Sequence, residues 1–284
     1  MIYCFDTSGI NWLYHDSQRE PIATALLATN DVLISAVNVV EATATKDQAR
    51  RTSLLNFERR LAKGTDPVAL PDELLTAVCT PHARGSPRPS SPIFTRDPLI
   101  TFALADACSL DEDQIQAIRN WKEDLEQDSA ALFGGGRTSF QQLFSGKTVK
   151  RPPSLGKLIS NHFAKDDDFL YAYMSELYRR ASGIELRRDG FRQVLIDIPE
   201  LCLFLMSLAQ AVYARSIREH GYSARKDKNP GALDLWSTVY LTHCDCFVTS
   251  DPKQRGALRV LNALNPRPPL IQSYQMFRTR LLLE

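Results

Sequence analysis

The chain has 284 residues, of which 44% are hydrophobic and 24% are charged, so it can bury a substantial core as one elaborated domain or two. Its 34 basic and 33 acidic side chains leave a net charge of +1, which excludes a basic field over the whole molecule. Any contact with nucleic acid must therefore depend on a local patch. The six cysteines form no framework of close pairs, and we expect neither a signal peptide nor a membrane span, which favours reduced thiols in a cytoplasmic protein.

The first strand is predicted at Ile2 to Phe5, a short apolar run that leads into Asp6, Thr7 and Ser8. A helix is expected to follow. Asp6 would then lie just past the carboxyl end of a buried strand. Ligands of open parallel sheets bind at such strand ends.

A second unit of the same kind is predicted next. A helix over 19–29 leads into a β-like run from Val32 to Ser35, and another helix begins near Ala36. This places Glu41 on the sheet side, within two turns of the strand end. A further helix is expected over 46–63, with leucines facing inward.

The middle of the chain has a different composition. Residues 65–97 are rich in proline, serine and arginine and predict a connection, whereas residues 98–225 have helical periodicity and predict a helical insertion. Pro199 predicts a kink or a fresh start within the insertion. Residues 1–64 and 226–284 would then be the two parts of one α/β domain.

The most basic local run lies in this insertion, at residues 147–157. It is a candidate contact for a phosphate backbone, and an ordinary exposed loop is an equally good interpretation. Its cationic side chains are Lys147, Lys150, Arg151 and Lys157.

The last part of the chain repeats the strand-and-acid arrangement. Residues 231–243 predict a helix with Asp234 near its start, and 245–249 predict a buried strand that ends at Thr249, just before Asp251. The remaining predictions are a helix over 254–264, a strand at 270–271 and a closing helix from 273.

Four acids from three distant segments are thus predicted at strand ends or in adjoining helices: Asp6, Glu41, Asp234 and Asp251. Crowding such charges into one cleft costs several kcal/mol unless a cation compensates them. A set of oxygen ligands without histidine or cysteine suits Mg²⁺ or Mn²⁺. Such an ion commonly serves the hydrolysis of a phosphodiester bond.

Three segments carry a resemblance to a known family: CFDTSGINWL (4–13), LISAVNVVEATA (33–44) and ALDLWSTVYLTHCDCFVTSDPKQ (232–254). In this order they resemble the three signature blocks of the PIN-domain nucleases. The positions that match the family's acids are Asp6, Glu41, Asp234 and Asp251. Thr249 matches the hydroxyl residue at the family's strand end. The middle of the chain has no counterpart in a minimal PIN domain.

The resemblance implies an α/β fold, with a small parallel sheet of four to five strands flanked by helices and interrupted by the helical insertion. It also implies a Mg²⁺- or Mn²⁺-dependent endoribonuclease in which the four acids bind metal and act in catalysis. Thr7, Ser8 and Thr249 would support these carboxylates. The expected partner is an RNA substrate, and an inhibitory partner protein or a homodimer is left open.

Two alternatives from other classes stay open. The chain can be a catalytically inactive PIN-like protein that binds or scaffolds. It can also be a phosphotransfer enzyme with Asp6 as nucleophile, although Ser8 stands where that chemistry usually has a second aspartate. Among the PIN-like proteins, the toxins of toxin–antitoxin pairs are much shorter than this chain, which leaves RNA processing or phage defence as further roles.

Overall fold

A computed structural model describes residues 1–127, 154–159, 167–216 and 232–283 of the protein. Its centre is a sheet of four strands: β1 (Ile2–Phe5), β2 (Asp31–Leu33), β3 (Cys246–Thr249) and β4 (Leu270–Ser273). The strand order is β2–β1–β3–β4, and every pair is parallel. The predicted fold class, α/β with a small parallel sheet and a helical insertion, is confirmed.

The centre of the sheet joins the two ends of the sequence. Tyr3 of β1 pairs with Val32 of β2 on one side and with Cys246 of β3 on the other. These strands are buried almost throughout, as expected for a parallel sheet with helices on both faces. The ring of Phe277 packs edge-on against Phe5, with 5.2 Å between the centroids.

Helices follow each strand and make up most of the rest of the described chain. Those before the central region are α1 (Thr7–His15), α2 (Arg19–Thr29), α3 (Ala36–Thr43) and α4 (Gln48–Leu61). Those of the central region are α5 (Pro71–Ala83), α6 (Pro98–Ala105), α7 (112–127), α8 (Leu155–Leu158), α9 (Asp167–Ser182), α10 (Phe191–Asp197) and α11 (Pro199–Ser216). The last are α12 (Ala232–Trp236), the 3₁₀ helix Ser237–Thr242, α13 (Pro252–Asn262) and α14 (Tyr274–Leu283).

The central region differs from its sequence pattern at two points. Helix α5 lies inside residues 65–97, where the proline-rich composition predicts only a connection; Pro71 at its start is compatible with a helix because the first turn needs no amide donor there. Pro199 marks a fresh start, since α10 ends at Asp197 and α11 begins at the proline. Among the described helices, none combines the length and apolar character that crossing a bilayer requires.

Three helices begin on polar residues at strand ends. Asp6 caps α1 by accepting a hydrogen bond from the Gly9 amide, and Asp251 caps α13. Ser35 and Asn38 form a reciprocal capping pair at the start of α3. Since all three caps follow parallel strands, they bring three polar side chains to the carboxyl edge of the sheet.

Gly9 sits where α1 passes closest to β3. A Cβ atom at this position would lie 2.7 Å from the carbonyl oxygen of Val248 and 3.1 Å from Oδ1 of Asp6. Both neighbours are held by hydrogen bonds, because the Asp6 amide donates to the Val248 carbonyl. The absence of a side chain at Gly9 is therefore what permits this approach.

We expect Gly9→Ala to lower the free energy of unfolding by about 1–3 kcal/mol, because the added methyl group must push backbone apart. Gly256→Ala is the matched control, since a Cβ on this α13 residue meets no atom within 4 Å. In a helix interior that change is expected to be neutral or stabilising by up to about 1 kcal/mol. Urea unfolding of both variants measures the difference, and equal midpoints would contradict the close approach.

Candidate active site

Asp6 lies at the centre of the carboxyl edge, with only 6% of its surface exposed. Its Oδ1 accepts a hydrogen bond from the Gly9 amide at 2.6 Å, and its Oδ2 accepts one from Thr249 Oγ1 at 2.6 Å. Ser8 Oγ lies 2.9 Å from both oxygens. The carboxyl group is therefore fixed between β1 and β3.

Burial is the main reason that the pKa of Asp6 rises from an ordinary value of 3.8 to about 7. The hydrogen bonds from Thr249, Gly9 and Ser8 lower this pKa, and the nearby negative charge of Asp234 raises it further. Asp6 and Asp234 are thus close enough for their charges to oppose each other. A cation between them would favour the ionised form of both.

Glu41 faces the same region from α3. Its Oε2 accepts a hydrogen bond from Thr7 Oγ1, and its Oε1 lies 3.4 Å from Nζ of Lys122. Both side chains of this ion pair are about one quarter exposed. The hydroxyl group of Thr7 also accepts a hydrogen bond from Asn38 Nδ2 at 3.4 Å, so the start of α3 holds the glutamate's partner.

The structure brings three of the four predicted acids to one small cleft at the sheet edge, namely Asp6, Glu41 and Asp234. Asp234 reaches it from α12, at the end of the sequence opposite to Asp6. The other lining residues are Phe5, Thr7, Ser35, Val37, Asn38, Leu233, Ser237 and Tyr240.

Asp251 is used differently. Its Oδ1 accepts hydrogen bonds from the amides of Lys253 at 2.6 Å and Gln254 at 3.1 Å, so the carboxylate caps α13. Its own amide donates to Thr249 Oγ1 at 3.2 Å. Asp251 therefore lies at the same edge of the sheet as Asp6 but is not among the residues that line the cleft.

The acids of the cleft fit a hydrated ion better than a fully coordinated one. Across the described ranges, no three His, Cys, Asp or Glu side chains lie close enough together to hold a metal ion directly. Mg²⁺ commonly keeps several waters and is bound through one or two carboxylates. The carboxylates of Asp6 and Asp234 can supply these one or two ligands.

Two polar residues near the site are not among the residues predicted for it. Lys122 belongs to α7, and no spacing rule connects it with Glu41. Glu58 of α4 is fully buried, and neither of its carboxyl oxygens has a hydrogen-bond partner. Burial, and to a lesser degree Glu41, raises its pKa well above the ordinary range. Its spacing from Leu54 and Leu61 on the buried stripe of α4 is the sequence signal that could have found it.

The predicted basic run is only partly described. Lys147, Lys150 and Arg151 lie outside the described residues. Lys157 is exposed on α8, which contacts α13. The interpretation of this run as a phosphate contact stays a prediction.

The raised pKa of Asp6 has a consequence for stability. Because the folded protein binds this proton more tightly than the unfolded chain, the stabilisation is fully present below pH 3.8 and is lost as the pH rises to about 7. Between pH 5 and 8 we expect the wild type to lose about 2–3 kcal/mol relative to Asp6→Asn, which has no proton to lose.

Urea unfolding of the two proteins at pH 5, 6, 7 and 8 measures this difference. Comparing the two proteins at each pH removes the contribution of other groups, including Glu58. Parallel stability curves would show that Asp6 titrates at an ordinary pKa.

No family model matches the chain, and neither a curated protein nor a solved structure matches it. The likeness to PIN-domain nucleases therefore depends on the residues of the three sequence blocks.

Proposed function

We propose that the protein is a metal-dependent endoribonuclease that hydrolyses RNA phosphodiester bonds at the carboxyl edge of its sheet. One observation carries the proposal: Asp6, Glu41 and Asp234, from three distant segments, line one cleft. Such a convergence of carboxylates is unfavourable without a compensating cation. The resemblance of the same three segments to the PIN-domain blocks supports the same chemistry.

Asp6 and Asp234 are the residues that would hold the ion. A bound Mg²⁺ or Mn²⁺ supplies an activated water and stabilises the oxyanions of an in-line displacement. Ser8 and Thr249 fix the Asp6 carboxylate through the hydrogen bonds that they donate. Because these bonds lower the pKa of Asp6, they favour the ionised form that an ion requires.

Glu41 is proposed to orient the attacking water or to hold a second ion. Thr7 donates to one of its oxygens and Lys122 approaches the other. This leaves the carboxylate oriented toward the cleft by two neighbours from different elements. Asp251 is proposed to assist through water, since its carboxylate also caps α13.

A binding or scaffolding protein without catalytic activity is the second candidate. Its support is the engagement of the acids within the chain: Asp6 accepts hydrogen bonds on both oxygens, Glu41 is paired with Lys122, and Asp251 serves as a helix cap. Carboxylates held this way can be structural. On this reading the protein binds RNA without cutting it.

The cysteines favour a reducing compartment. All six are free thiols, and four of them are buried. Disulfides are rare where glutathione and thioredoxin keep thiols reduced, so we propose a cytoplasmic location. The basic run with Lys157 is proposed to contact the RNA backbone.

We expect the wild type to cleave total RNA with Mn²⁺ or Mg²⁺ and to stop with EDTA. Asp6→Asn and Asp234→Asn should each lower the rate by at least about 100-fold, since each removes a negative charge that would hold the metal ion at the cleft. Their melting temperatures should be unchanged or higher, because the repulsion between the two carboxylates is relieved. Gel electrophoresis and thermal melts measure both.

Asp66→Asn is the matched control, because Asp66 is exposed between α4 and α5 and lies outside the cleft. It should cut RNA like the wild type. If the wild type binds RNA but cuts none with either metal, the scaffold reading is correct. Cleavage by Asp6→Asn at the wild-type rate would exclude the proposed centre.

A substitution of Lys122 tests whether a divalent cation binds in the cleft. Its ammonium group partly neutralises Glu41, so it should compete with a divalent cation for the cleft. A partly exposed ion pair contributes about 0.2–1 kcal/mol, so Lys122→Met should bind Mn²⁺ up to about fivefold more tightly in calorimetry. Lys63→Met is the control, because Lys63 pairs with Asp31 at the amino end of β2. Equal affinities of Lys122→Met and wild type would remove Lys122 from the site.

A further inference from the structure

A second group of chemically active side chains lies apart from the acidic cleft. Ser91 Oγ is hydrogen-bonded to Nδ1 of His243, and Nε2 of His243 faces Oε1 of Glu200 at 3.6 Å. A hydroxyl group, an imidazole and a carboxylate are thus aligned in that order. The sequence does not indicate this arrangement, since Ser91 and Glu200 are 109 positions apart and Glu200 and His243 are 43 positions apart.

The exposure of the three residues differs in the way a nucleophilic site requires. Ser91 is exposed on the segment between α5 and α6, whereas the side chains of His243 and Glu200 are fully buried. The serine therefore lies at the surface, next to the buried imidazole. The base and the acid behind it are shielded from water.

Separate elements fix each member of the group. Glu200 lies in the first turn of α11, and its Oε1 also accepts hydrogen bonds from Thr242 Oγ1 at 2.8 Å and from Nη2 of Arg88. His243 follows the 3₁₀ helix Ser237–Thr242 directly. The carboxylate is thus held by two neighbours, and the imidazole ring lies between it and the serine.

The form of the imidazole depends on the direction of its hydrogen bond with Ser91. If Nδ1 accepts the proton of Ser91, the ring carries its own proton on Nε2, which faces the carboxylate. At 3.6 Å the second contact is longer than a hydrogen bond. Catalytic hydrogen bonds are often long before a reactant binds.

Two atoms of this group are left without a hydrogen-bond partner although they are buried, namely His243 Nε2 and Glu200 Oε2. Unsatisfied buried polar atoms are rare in folded proteins and often mark a functional group. Here they are an imidazole nitrogen and a carboxylate oxygen that belong to neighbouring side chains. A small movement of the ring toward Glu200 would give Nε2 a partner in Oε1, which lies 3.6 Å away.

We propose that Ser91 is a nucleophile that accepts an acyl group from a small activated ester, with His243 as its base and Glu200 as the residue that orients the imidazole. A nucleophile within hydrogen-bond reach of a base, which a third group orients, is the arrangement that activates serine in acyl transfer. The assignment is independent of the acidic cleft and of its proposed ribonuclease chemistry.

The step balances with the groups present. Ser91 Oγ forms a bond to the carbonyl carbon of the ester, and its proton passes to Nδ1 of His243. The ester bond then breaks, and the alcohol leaves with the proton that His243 returns. Burial lowers the pKa of His243, Glu200 raises it and Arg88 lowers it, so the ring is neutral and can accept that proton near pH 7.

A fluorophosphonate probe tests the serine directly. Ser91 Oγ would bond to phosphorus, the P–F bond would break, and fluoride would leave while His243 takes the proton. We expect one adduct in the intact mass, mapped to Ser91, formed at least about 100-fold faster than at Ser90. Ser90 is the matched site, since it is the adjacent exposed serine and makes no hydrogen bond to His243. Labelling of Ser91 no faster than Ser90 would overturn the proposal.

Variants assign the roles. Ser91→Ala should abolish the adduct and Ser90→Ala should preserve it. His243→Gln should slow labelling about 100-fold while its circular dichroism matches the wild type; an unchanged rate would overturn the role of the base. If His243→Gln does not fold, Ser91→Cys and Ser90→Cys replace it, because each change is at an exposed position and leaves His243 and Glu200 in place. The thiol at position 91 should then react faster with iodoacetamide, and equal rates would overturn the proposal.

The orienting role of Glu200 is tested by a measurement that would not change if Glu200 only stabilised the fold. Imidazole nitrogen shifts in NMR should show the Nε2-protonated tautomer of His243 in the wild type. Glu200→Gln should give a mixture of tautomers and a slower reaction with the probe. A wild-type spectrum with the proton on Nδ1 would show that Ser91 accepts a hydrogen bond and only anchors its segment.

Discussion

The hydrogen bonds that Asp6 accepts from Thr249, Ser8 and Gly9 hold a buried carboxyl group between the two central strands. The carboxyl edge of the sheet depends on this contact. It joins β1 to β3 beyond the last backbone pairs. It also fixes the carboxyl group of Asp6, whose charge repels that of Asp234. Burial raises the pKa of this carboxyl group to about 7, so its ionised form destabilises the fold near neutral pH.

Helix caps explain why the acids separate into two groups. One oxygen of Asp6 accepts a hydrogen bond from the Gly9 amide, and the other accepts hydrogen bonds from Thr249 and Ser8. The carboxylate held in this way faces the cleft. Asp251 also caps a helix, but two amides bind the same oxygen and direct the carboxylate along α13. Both aspartates therefore cap helices at adjacent strand ends, but only Asp6 also lines the cleft.

The sequence predicts the strands and the strand-end acids because short apolar runs bounded by polar residues identify buried parallel strands, as at Ile2–Phe5 and Cys246–Thr249. It does not predict side-chain directions. Whether Asp251 faces a cleft depends on the first turn of α13, and the contact of Lys122 with Glu41 depends on how α7 packs. Burial of Glu58 was readable from its leucine stripe, yet the flanking arginines make the same stretch look like a surface.

The 3₁₀ helix Ser237–Thr242 connects the two groups of polar residues. Ser237 and Tyr240 line the acidic cleft, and His243 follows at the same spacing of three. In a 3₁₀ helix residues three apart lie on one face, whereas an α-helix would rotate each by about 60° from the last. His243 lies just past the end of the 3₁₀ helix, next to Glu200 and Ser91 rather than in the cleft. The hydrogen bond from Tyr240 to the carbonyl of Ala69, at 3.0 Å, connects this segment to the chain just before α5.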